Sequence, residues 1–101
     1  MVQRLELQSK LEEILGSRNV YFNPPPSNRM NYPAIVYHFV DVETWDANNK
    51  RYLYRKYYSI TLIHNDPDNE IVDRMIEAGY EMTSSPYVSD GLYHYVFETY
   101  I

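Results

Sequence analysis

Three histidines, His38, His64 and His94, are the groups in this chain best suited to hold a metal ion or carry a proton. They fall on three different predicted strands, and none stands in a zinc motif such as H-E-x-x-H. The densest run of oxygen donors is Asn65-Asp66-Pro67-Asp68-Asn69-Glu70. A calcium loop of the EF-hand type needs alternating ligands, a turning glycine and a closing glutamate. Here Pro67 interrupts the alternation and no glycine stands at the turn. With no cysteine there is no thiolate nucleophile, no cysteine-type zinc site and no disulfide. Neither a G-x-S-x-G elbow nor a glycine-rich phosphate loop occurs. Paired carboxylates can always be found among 14 acids, so their presence carries little weight. One stretch interleaves aromatics with cations, as a single-strand nucleic-acid face would: Tyr52, Tyr54, Arg55, Lys56, Tyr57 and Tyr58. A net charge of −5 and the lack of a second basic stretch weigh against that use. The expectation is a protein that is not an enzyme, with no catalytic residues, no metal and no cofactor.

Twelve tyrosines in 101 residues point instead to contact surfaces. Tyrosine offers a large amphipathic area at low rotamer cost and is enriched at interfaces, although a tyrosine-rich sheet can also simply half-bury its rings. The hydrophobic fraction of 45% and only three glycines indicate a globular chain rather than a disordered one. Its length suits a single domain over residues 1–101, burying roughly two-thirds of the surface its unfolded chain exposes. No apolar run approaches the roughly 20 residues that span a membrane, and MVQRLELQSK lacks the apolar centre of a signal peptide.

The elements that must position these surfaces can be read in order. Leu7, Leu11, Ile14 and Leu15 recur at helical spacing over residues 3–15, with Leu5 less well placed and Gly16 as the stop. Val20–Phe22 reads as a short strand. Pro24, Pro25 and Pro26 then remove three amide donors, so Asn23–Asn31 is a stiff loop, either a partner contact or a plain connector. It carries Arg29 and Met30, the latter exposed if the loop is. Pro33 can open the next strand. Ala34–Glu43 places Ile35, Tyr37 and Phe39 on one face and Val36, Val40 and Val42 on the other, as in a central strand covered on both sides. His38, on the valine face, reads more simply as a structural residue than as a ligand.

Thr44–Arg51 reverses the chain, with Asn48 and Asn49 tolerating positive φ. Trp45 either packs against the sheet or stands as an exposed anchor; packing is the simpler expectation. Tyr52–His64 is the longest predicted strand. Tyr54, Tyr58, Ile60 and Leu62 share one face, and Arg55, Tyr57, Ser59 and Thr61 share the other. Its wetter first half suggests a hairpin whose tip projects beyond the globule. Asp66 as cap and Pro67 at the first helical position start a helix to about Ala78, with Ile71, Val72, Met75 and Ile76 as its apolar stripe and Gly79 as its stop. Tyr80–Asp90 reads as loop, and Gly91–Ile101 as a last strand held by a neighbour. The expected fold is α+β: a mainly antiparallel sheet of about four strands, in the order α-β-β-β-α-β, with two helices packed on it.

Several of these stretches resemble one family. LEEILG (Leu11–Gly16), NVYF (Asn19–Phe22), the proline loop and YPAIVY (Tyr32–Tyr37) are similar to the start of bacteriophage tail completion proteins. These are the tail terminators, or tail-to-head joining proteins, of long-tailed phages. YLYRKYYSITLI, the Asp-Pro helix start and GLYHYVFETYI extend the likeness over nearly the whole chain. The resemblance implies a virion protein made in the host bacterial cytoplasm and located at the head-proximal end of the tail. Its partners would be further copies of itself in a ring, usually a hexamer, the major tail tube protein and the head connector or stopper. DNA would meet it only in transit through the lumen, and no membrane is involved. The family brings no catalytic residues.

Edge strands are ready material for ring contacts. The expected contact surfaces are the hairpin tip (Trp45, Asp46, Asn48, Asn49, Lys50, Arg51, Tyr52, Tyr54) and the proline loop (Pro24, Pro25, Pro26, Arg29, Met30). Asp41, Glu43 and Asp46 are candidates to face a lumen, where negative charge would repel DNA and let it slide. Alternative readings are a head-closure or minor capsid component, or a small protein-binding domain of unrelated function.

Overall fold

Helix α1, Gln3–Leu15, exists because leucines recur every fourth residue along it. Leu7, Leu11 and Leu15 are buried, Ile14 packs partly against the core, and Leu5 lies off the stripe, exposed. Gly16, at φ +81°, closes the helix by donating its N–H to the Glu12 carbonyl at 2.9 Å. The computed structural model of the chain describes residues 3–24, 30–48 and 50–101, and only the backbone of Gln3, Arg51 and Tyr52.

The sheet has six strands rather than about four. They are β1 (Val20–Phe22), β2 (Ala34–Ala47), β3 (Lys50–His64), β4 (Glu81–Met82), β5 (Tyr87–Ser89) and β6 (Leu92–Tyr100), with α2 (Ile71–Glu77) between β3 and β4. The lateral order is β1-β2-β3-β6-β4, and β5 also pairs with β6. Only β1–β2 is parallel; all other pairs are antiparallel. The α+β class therefore holds. The two additional strands lie in the segment expected to be loop, where two or three residues each add to the outer edge of β6.

Both helices contribute to one core on one face of the sheet. It gathers Leu7, Leu11 and Leu15 with Ile71 and Met75, against Ile35, Tyr37, Tyr58, Ile60, Leu62, Tyr95 and Phe97. Burying one such leucine contributes about 1.5–3 kcal/mol. Tyr37 is fully buried, and its hydroxyl is satisfied: it donates to Gln8 Oε1 and accepts from Arg4 Nη1 at 3.1 Å. Burial raises its pKa, although Arg4 pulls the other way. Arg4 also lies 4.5 Å from the centre of the Phe22 ring. Arg74 ties α2 to α1 by donating to the Ile14 carbonyl at 3.1 Å.

Helix α2 starts later than Asp66 and Pro67 suggest. Asp66 Oδ1 accepts from the Asp68 N–H at 2.9 Å, so the acids form a side-chain-closed turn. Asn69 Oδ1 then receives the Val72 N–H at 3.2 Å at the start of a seven-residue helix. Ile71 and Met75 are buried and Val72 is partly buried, but Ile76 is 53% exposed and leaves the expected stripe. Gly79, at φ +97°, ends the helix in a Schellman pair: Tyr80 N–H to Met75 O at 3.2 Å and Gly79 N–H to Ile76 O at 3.0 Å.

β2 is central for only part of its length. Ala34–Tyr37 are buried, whereas His38–Ala47 are all exposed. β1 stops opposite Tyr37, and β6 stops opposite Tyr57. Ile101 adds one more step by exchanging backbone hydrogen bonds with Lys56 at 2.8 Å, and beyond that β2 and β3 continue alone as a two-stranded arm whose free edges are residues 40–47 and 50–55, up to roughly 25 Å long at about 3.3 Å per residue. The molecule is 52 Å in its longest dimension, and its radius of gyration is 15.0 Å, against about 13 Å for a compact chain of this length.

Candidate interaction surface

Two irregularities aim the side chains of the arm. In β2–β3 the register runs Phe39↔Tyr58 and then Asp41↔Tyr57, so Val40 is an extra residue. A single extra residue exchanges the faces. Ile35, Tyr37 and Phe39 lie on the face that carries the helices, and past the bulge Val42 and Thr44 continue that face. Asp41, Glu43 and Trp45 are turned to the open face. The expected alignment of Val36, Val40 and Val42 on one face is thus broken at Val40. A second irregularity follows Trp45, where the pairing moves from Trp45↔Leu53 to Asp46↔Arg51. Asp46 then falls on the opposite face from Asp41 and Glu43, so the three acids do not line one surface.

The open face at the root of the arm is organised around Arg55. Its Nη2 is 3.0 Å from Glu43 Oε2, and its Nε donates to the same oxygen at 3.1 Å. Its guanidinium lies 3.8 Å from the Tyr100 ring centre and 5.3 Å from that of Trp45. Tyr100 in turn tilts against Tyr57, with ring centres 5.2 Å apart. The Tyr57 hydroxyl donates to Glu98 Oε2. That bond to a carboxylate, with burial adding to it, pushes the Tyr57 pKa up to about 12. Beside this cluster is an open groove of about 370 Å³ lined by Asp41, Val42, Glu43, Tyr57 and Tyr100. The result is an arm braced at its root by one cation between two rings, with acids around it.

The expected tip residues are placed as follows. Trp45 is 38% exposed and lies on the arm, not in the core, because among the described residues no third strand or helix reaches that far. Asn48 makes the reversal at φ +53°, between the paired Ala47 and Lys50. Asn49 lies outside the described residues. Asp46 and Lys50 are exposed; Arg51 and Tyr52 continue the β3 backbone, and their side chains lie outside the description. Tyr54 is 54% exposed, on the face opposite Arg55. In the proline loop, Pro24 and Met30 are half-buried, while Pro25, Pro26 and Arg29 lie outside the described residues.

The aromatic–cation stretch does not form one surface. Tyr54, Lys56 and Tyr58 lie on one face, Arg55 and Tyr57 on the other, where acids accompany them. The histidines are separate too. His38 Nδ1 meets Asn23 Oδ1 at 2.7 Å, His64 Nδ1 accepts the Asp66 N–H at 2.9 Å, and His94 stacks on Tyr87 at 4.7 Å. Among the described residues no three His, Asp or Glu side chains converge as metal ligands. The Arg55 cluster itself was not singled out from the sequence. Strand alternation puts Arg55 beside Tyr57, but Glu98 and Tyr100 join them only through the β3–β6 register. Compared with known proteins, the chain matches no protein-family model and no curated protein.

Proposed function

We propose that this chain is a structural subunit of a phage tail: a completion protein that caps the finished tube as a ring, stops its polymerisation and joins it to the head connector. The observation that carries this reading is the arm, a ribbon with exposed aromatic and aliphatic residues that contributes little to the chain's own core. Such a surface suits contact with other subunits better than chemistry. The likeness of YPAIVY and its neighbours to tail completion proteins supplies the identity of those partners: further copies in a ring, the tail tube protein and the connector. In this reading Asp41 and Glu43, on the open face of the arm, are the acids to test as lumen-facing, and DNA passes them without being held.

The test removes the arm and leaves the globule. Residues 43–55 are replaced by a two-residue turn between Val42 and Lys56, which already face each other. The shortened chain is expected to fold but to leave heads and tails unjoined. If it still completes infectious particles, the assignment fails. Electron microscopy of tails assembled without the protein separates the two activities: overlong tubes indicate termination, and normal tubes without heads indicate joining alone.

A further inference from the structure

The arm has two free backbone rims. Among the described residues no strand pairs with β2 beyond Phe39 on its outer side, nor with β3 before Lys56 on its outer side. A two-stranded ribbon is marginal alone in water, and an unpaired rim is a template for another strand. The charges on the two rims are sorted by sign. Residues 40–47 (VDVETWDA) hold Asp41, Glu43 and Asp46 and no cation. The free part of β3, residues 50–55 (KRYLYR), holds Lys50, Arg51 and Arg55 and no acid; Lys56 lies outside it, because its backbone already exchanges two hydrogen bonds with Ile101. Residues directly opposite on paired strands are neighbours; opposite charges there stabilise the pair and like charges oppose it.

We propose that the occupant of each rim is a second copy of this chain, the acidic β2 rim of one arm pairing with the basic β3 rim of the next. With the tips pointing the same way, β2 and the neighbouring β3 run antiparallel, as they do within one hairpin. Pairing β2 with β2, or β3 with β3, would set acid against acid or cation against cation. The charge pattern thus disfavours the two-fold dimer and favours the head-to-tail contact. Such a contact uses different surfaces on the two partners and so can repeat. This deepens the ring-subunit reading by naming the contact, and it can be measured without phage.

The chain has no cysteine, so single cysteines report cleanly. Full-length Thr44→Cys protein is mixed with full-length Tyr54→Cys protein and oxidised. Tyr54 shares the face of Thr44 and lies on the free part of β3. Disulfide-linked species are expected in the mixture and not in either population alone. Linkage within one population, or none in the mixture, overturns the proposal. A charge exchange gives the second reading. Asp41→Lys/Glu43→Lys protein carrying Thr44→Cys should lose the link to Tyr54→Cys protein of native charge, and Lys50→Glu/Arg55→Glu protein carrying Tyr54→Cys should lose the link to Thr44→Cys protein of native charge. Mixed together, the two charge-reversed proteins should recover it, because the first now has a net basic β2 rim and the second a net acidic rim over residues 50–55. A mixture that fails to recover overturns the proposed sorting. Links that form while the shortened arm still completes particles sink the tail reading and leave the pairing. No links, with particles that depend on the arm, do the reverse.

Discussion

Ile35 and Leu62 face each other across β2 and β3, both fully buried; ten residues along β2 and nine along β3, Trp45 and Leu53 face each other with 38% and 52% of their surface in water. The backbone pairing is alike at the two places. What differs is the company. At the globular end β1 and β6 flank the pair, and α1 and α2 contribute to the core on one face of it. At the far end nothing in the described chain flanks or covers it. The burial of a strand pair therefore comes from its neighbours, and among the described residues the arm has none.

The contrast can be broken most strongly from the globular side. Leu62→Ala removes a fully buried side chain and should cost about 2–5 kcal/mol in chemical denaturation. Leu53→Ala, at the other end of the same strand, should stay within about 0.5 kcal/mol. Comparable losses at the two positions would mean that the arm belongs to the core.

A smaller effect sharpens how the arm is rooted. Tyr57 donates to Glu98, so its phenol should titrate above the ordinary value near 10, at about 12. The raised value means that the folded state holds the proton more tightly than the unfolded chain does. The bond's contribution is complete below pH ~10 and is lost as pH rises through ~12. Ultraviolet phenolate titration of the wild type minus Tyr57→Phe should isolate this group, and Glu98→Gln should lower its midpoint. A midpoint that does not move removes the Tyr57–Glu98 side-chain bond from the bracing of the root.

The smallest change is expected from the only tryptophan. Trp45 fluorescence should be that of a partly wetted indole in the folded monomer and should shift only modestly as the globule unfolds. A large blue-shifted emission in the monomer would place Trp45 in a core that the arm lacks.

The residues that were legible in the sequence are those with their own partners nearby. Every fourth leucine makes α1, and Gly16 ends it. The faces of β3 from Tyr54 to Leu62 follow from plain alternation. What was not legible depends on distant partners or on a single residue's offset. Valine at 36, 40 and 42 gives no hint that Val40 is the bulge, because all three suit either face. β4 and β5 are too short to show a period and exist only because β6 offers its outer edge. Asp66 and Pro67 carry the marks of a helix start, yet local side-chain bonds close a turn first. Trp45 was expected to pack because large rings usually do; how far the neighbouring strands extend decided otherwise.

The two free rims of the arm carry a consequence for counting. A row of paired copies, however long, keeps one bare acidic rim and one bare basic rim, so every incomplete set remains able to capture another copy. The last copy to enter a closed circle makes two junctions instead of one and leaves no rim at all. Completeness would then be sensed without any sensor: partial circles stay adhesive, and only the finished one is inert.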